Sequence, residues 1–130
     1  ASLNYFGNTL DAGEGVSVGD LDNDGKPELV VSHNFGSTLS LLKNTSTPGL
    51  ISFNNIGSIA TGQYNRATQI ADMNGDGLND IIFKFNGTQD IRIFLNTNSG
   101  EELATSDFAT EVVLTSELGS YGGMSIADIN

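Results

Sequence analysis

The chain has 130 residues, 38% of them hydrophobic, with 16 Gly, 2 Pro, no Cys and a formal charge of −11 at pH 7. That balance can support a folded core. It excludes a disulfide framework, a thiolate metal site, and the basic patch that nucleic acid or an anionic membrane would require. No apolar run is long enough for a membrane span.

In chain order, residues 3–7 (Leu3-Asn4-Tyr5-Phe6-Gly7) resemble residues 53–57 (Phe53-Asn54-Asn55-Ile56-Gly57). Residues 1–14 are therefore expected to be the last strand of a preceding unit. A strand over 15–19 runs into an Asp-rich loop over 20–28. A second strand over 28–33 is almost continuously apolar, as expected when both faces are covered. A third strand over 38–42 ends at the turn signal Asn44-Thr45. A fourth, less regular strand lies within 50–59, which completes a unit over residues 15–65.

The same order then repeats. Residues 16–45 align without a gap onto residues 68–97, with Asp20, Asp24, Gly25, Asn34 and Asn44 recurring as Asp72, Asp76, Gly77, Asn86 and Asn96. The second unit, residues 66–121, predicts strands over 67–71, 80–85, 90–95 and 108–114. A third copy opens within residues 122–130, where Ser125-Ile126-Ala127-Asp128-Ile129-Asn130 repeats Gln69-Ile70-Ala71-Asp72-Met73-Asn74. No segment sustains a 3.6-residue period with caps, so no helix is predicted. Four short antiparallel strands in a repeat of about 50 residues predict an all-β fold of β-propeller blades. The expectation is two complete blades with a spare strand at each end; a β-solenoid array is the alternative.

The loops carry the chemistry. The first reads Asp20-Leu21-Asp22-Asn23-Asp24-Gly25-Lys26-Pro27-Glu28, and the second Asp72-Met73-Asn74-Gly75-Asp76-Gly77-Leu78-Asn79-Asp80. Carboxylates packed this closely repel one another and need a cation between them. Oxygens at positions 1, 3 and 5 of a tight turn converge on one point, and Gly at position 6 permits the bend. Position 7, Lys26 or Leu78, offers only its backbone carbonyl, and the carboxylate at position 9 closes the shell. Such an all-oxygen set suits Ca2+ better than Mg2+, which demands a small octahedron and retains water. The spacing excludes an EF-hand or dockerin loop, because position 12 is Val31 or Phe83, inside a predicted strand. Tandem nonapeptide calcium repeats are excluded too, since their Gly-rich run is missing.

A strand, the pattern D-x-[DN]-x-D-G-x-x-[DE], an apolar strand and the following Phe35-Gly36 together resemble the FG-GAP/VCBS repeat family. Its members form calcium-binding blades in integrin α-subunit propellers and in many bacterial secreted proteins. The resemblance implies side-chain ligation by Asp20, Asp22, Asp24 and Glu28, and by Asp72, Asn74, Asp76 and Asp80. It departs at Glu28, which replaces the usual Asp, and at Asn86-Gly87, which stands where Phe-Gly is expected. In the third copy Asp128 and Asn130 form only a partial site.

A structural role for calcium is expected, pinning the turn between the first two strands of each blade. A bridging role toward a sugar or a partner's carboxylate is the competing one. The resemblance implies a secreted or cell-surface location and a non-catalytic module for adhesion, assembly, or protein or glycan binding. The alternative is a piece of a propeller-fold, lyase-like polysaccharide enzyme, or a lectin. His33 is the single histidine and gives little support to a catalytic triad. Tyr5, Tyr64 and Tyr121 suit packing between blades better than stacking on sugars. Asn44 and Asn86 begin glycosylation sequons, and open blade edges would allow self-association.

Overall fold

The computed structural model describes residues 13–33, 35–85, 87–88, 90–115 and 126–127. Within them are eight strands: β1 (Gly13–Gly19), β2 (Glu28–His33), β3 (Thr38–Asn44), β4 (Phe53–Ala60), β5 (Asn65–Ala71), β6 (Asp80–Phe85), β7 (Ile91–Leu95) and β8 (Thr110–Leu114). They form two four-stranded sheets in chain order, β1-β2-β3-β4 and β5-β6-β7-β8, with every pair antiparallel. Each sheet thus has the meander of a propeller blade. The expected spare strand in residues 1–14 lies almost wholly outside the described residues. So does the opening of a third unit, apart from Ile126 and Ala127, which are not in a strand.

Repetition in sequence becomes repetition in register. Gly19 pairs with Glu28 in the first sheet and Ala71 with Asp80 in the second; Leu29 pairs with Leu42 and Ile81 with Phe94. Even the irregularity recurs. A bulge between Gly13 and Gly15 has its counterpart between Asn65 and Ala67. Bulges bend a strand and increase its twist, so the same bend opens both sheets.

The core lies between the sheets. The first contributes Val30, Leu39, Leu41 and Ile59, and the second Ile81, Phe83, Phe85 and Phe94. Phe83 meets Phe85 edge-to-face at 5.5 Å and lies 4.7 Å from Phe94, centroid to centroid. β-Branched and aromatic residues favour strands because they fill a pleated surface, and here they do so on the shared face. Along the seam between β1 and β5, the Ser17 hydroxyl donates to the Thr68 carbonyl at 2.6 Å.

The fourth strands depart most from the sequence-based expectation. β4 begins at Phe53 rather than near residue 50, and β8 begins at Thr110 rather than at Phe108. A 3₁₀ helix, Thr105–Phe108, precedes β8, although no helix was predicted. Four residues are too few to display a period. Phe108 inserts from this helix into the core, where it is almost fully buried, and Asp107 secures the turn by accepting from the amide of Ala104 at 2.9 Å.

Gly19 is required by close approach. A Cβ there would sit 2.5 Å from Cγ2 and 3.0 Å from Cβ of Ile70, a β-branched side chain that cannot swing aside. Gly19→Ala is expected to destabilise the fold by about 1–3 kcal/mol in chemical denaturation. Ile70→Ala in the same chain should recover part of that loss, giving less than the sum of the single changes.

Candidate metal centre

Both Asp-rich loops link the first and second strands of a sheet and share one internal wiring. In the first, Oδ2 of Asp20 accepts from the amide of Gly25 at 3.0 Å, Oδ1 of Asp22 from Asp24 at 3.3 Å, and Oδ1 of Asp24 from Lys26 at 2.8 Å. In the second, Oδ2 of Asp72 accepts from Gly77 at 2.9 Å, Oδ1 of Asn74 from Asp76 at 3.1 Å, and Oδ1 of Asp76 from Leu78 at 2.8 Å. Position 6 is left-handed in both, with φ of 84° at Gly25 and 88° at Gly77. Position 4 is left-handed as well, at Asn23 (φ 58°) and Gly75 (φ 80°). Asn and Gly are the residues that tolerate this region, which is the sequence signal for position 4.

Position 9 anchors each loop. Glu28 and Asp80 are fully buried. One oxygen of each accepts from the amide at position 2: Leu21 to Glu28 and Met73 to Asp80, both at 2.8 Å. The other faces the end of the third strand, accepting from Asn44 at 3.4 Å or Asn96 at 2.9 Å. Burial pushes the Glu28 carboxyl above its ordinary range, against the opposing pull of the Leu21 and Asn44 amides. Asp24 and Asp72 are held below theirs, chiefly by the amides of Lys26 and Gly77 respectively.

The loops differ in how their carboxylates gather. Carboxylate oxygens of Asp20, Asp22 and Glu28 all lie within 4.8 Å of one another. Oδ1 of Asp20 is buried and has no hydrogen-bond partner. An orphaned carboxylate oxygen beside two more acids fits a hard cation bound by Asp20, Asp22 and Glu28. Asp24 is turned aside: its Oδ2 lies 3.4 Å from Nζ of Lys43, which also contacts Asp22. Burial draws the Lys43 ammonium down, but the hydrogen bond and charge of Asp22, with Asp24 behind it, outweigh this and hold it above its ordinary value.

In the second loop both oxygens of Asp72 are taken by amides, Gly75 at 2.7 Å and Gly77 at 2.9 Å. Asn74 donates to Oδ2 of Asp76 at 2.8 Å. Its four side chains therefore cap their own backbone. Asp128 and Asn130 lie outside the described residues.

The two loops are also joined to each other. Asn23 donates to the carbonyl of Gly77 at 3.2 Å, and Asn79 to that of Asp20 at 2.7 Å. Asn96 reaches the carbonyls of Leu21 at 2.7 Å and Asn79 at 2.9 Å. Asn44, its repeat counterpart, holds the carbonyl of Pro27 at 2.9 Å. These asparagines are more than turn residues: they fasten the loops to the sheets.

The other candidates fall elsewhere. His33 is buried on β2, with Nε2 at 2.8 Å from the hydroxyl of Ser40 on β3. Tyr64 is 52% exposed and meets Phe35 edge-to-face at 5.9 Å, so it does not pack between the sheets. Tyr5, Tyr121 and Asn86 lie outside the described residues.

Asp80→Ala would leave the amides of Met73 and Asn96 without their acceptor in a buried setting. A loss on the order of 3 kcal/mol is expected, measured by denaturation in excess chelator so that metal plays no part. Asp80→Asn keeps one acceptor oxygen and should lose less.

No curated protein and no solved structure matches the chain significantly. Residues 20–83, from the start of the first loop to the middle of β6, match the family model of the FG-GAP-like repeat. Over that span the chain is similar to the FG-GAP-like repeat.

Proposed function

We propose that the chain is a calcium-binding module of β-propeller type that works outside the cell without catalysing a reaction. In this reading it serves as a scaffold for adhesion, assembly or ligand binding, and calcium has a structural role. The observation that carries it is the orphaned, buried oxygen of Asp20, gathered with Asp22 and Glu28. When bound, calcium would neutralise these carboxylates and fix the loop between β1 and β2. Asp72, Asn74, Asp76 and Asp80 are the second proposed set, reached once the side chains release their own amides. Extracellular calcium is abundant enough to fill sites of modest affinity, which supports the location.

The chain's own groups do the positioning. Glu28 ties the loop entrance to the end of β3, and Asn96 and Asn79 hold the first loop's carbonyls from the neighbouring sheet. The non-catalytic reading is supported by His33 and Ser40, whose hydrogen-bonded pair is 7% and 5% exposed and therefore closed to a substrate.

Calcium should raise the melting temperature. At a concentration 100 times Kd the gain is about 2.7 kcal/mol per site, or roughly 10 °C for a chain of this size. EDTA should reverse it, and Asp20→Asn with Asp22→Asn should remove the first loop's share. A melting curve indifferent to calcium and EDTA would contradict the proposal.

A further inference from the structure

The repeat differs at two positions that meet in space. The first unit has Asp22 in its loop and Lys43 on β3; at the aligned positions the second has Asn74 and Leu95 on β7. Asp22 is only 5% exposed at its side chain, and Lys43 Nζ contacts it directly while lying 3.4 Å from Oδ2 of Asp24. In the second loop the corresponding oxygen, Oδ2 of Asp76, receives the neutral amide of Asn74 at 2.8 Å. One unit thus carries an additional carboxylate together with an ammonium that neutralises it. The other dispenses with both.

We infer that Lys43 is a tethered cation that closes the first loop without metal and competes with calcium for Asp22 and Asp24. This rests on the proposal that the first loop binds calcium. An ammonium within hydrogen-bonding distance of two carboxylates supplies the positive charge that a divalent ion would otherwise bring. Entry of the ion displaces it, so Lys43 weakens binding at the first loop. It also lets that loop keep its shape in low calcium. Lys43 acts through Asp22 and Asp24 and is a positioning residue, not a ligand.

The test is calorimetric titration with CaCl2 of the full chain carrying Asp76→Asn, which weakens the second loop. Lys43→Leu, the residue of the second unit, should tighten calcium binding by about tenfold or more. It should also lower the melting temperature in EDTA, because four carboxylates then face one another alone. Adding Asp22→Asn reproduces the second unit's pair and should restore the EDTA melting temperature. Should Lys43→Leu unfold without calcium, Lys43→Gln keeps the length of the side chain and removes its charge, and it should shift affinity in the same direction. Calcium binding with unchanged affinity in both Lys43 variants would overturn the role of Lys43 and leave the calcium reading standing. No calcium binding by any variant, wild-type chain included, would overturn the calcium reading and this inference with it.

Discussion

Everything in this fold depends on a carboxylate that is buried at the start of the second strand in each unit. Glu28 and Asp80 have left water entirely, and a charge in that position survives only if backbone amides surround it. Each therefore draws in the amide of loop position 2 and faces the amide at the end of the third strand. Three parts of the sheet are fixed by one side chain: the loop entrance, the second strand and the strand beyond it. The loop between must then close over a set distance, which brings positions 1, 3 and 5 together.

That constraint explains why the two loops share a backbone although their charges differ. Asx-type bonds from positions 3 and 5, left-handed residues at 4 and 6 and the anchor at 9 recur in both. The backbone leaves the outer oxygens to be satisfied in different ways. The first loop uses an ammonium and leaves one oxygen of Asp20 orphaned, whereas the second uses its own amides. Links from Asn23, Asn79 and Asn96 join the loops, so a change of shape in one strains the bonds to the other. The seam between β1 and β5 runs into the first loop, where Leu21 enters the common core.

Much of this was legible in the sequence because it is local and repeated. Apolar runs at Leu29-Val30-Val31 and Ile81-Ile82-Phe83 mark β2 and β6, and Asp at fixed intervals marks the loops. What escaped is set by distant partners. β4 and β8 lie outside the gapless alignment, and the insertion of Phe108 from a four-residue helix has no periodic signature. Tyr64, expected between blades, instead meets Phe35 on the surface. Lys43 left a trace, since it stands opposite Leu95 in the alignment, but only the fold shows that it reaches Asp22. Position 9 was expected to complete a metal shell; its work for the backbone amides emerges only from the register of β2 and β3.

The proposal that each loop takes a calcium ion rests on the gathered acids of the first loop and on the matching internal wiring of the second. Native mass spectrometry of the chain after exchange into calcium counts those ions directly. The account predicts at least two bound per chain, with one fewer when Asp20 and Asp22 are both changed to Asn. A chain that carries none, or the same number after that change, would contradict it.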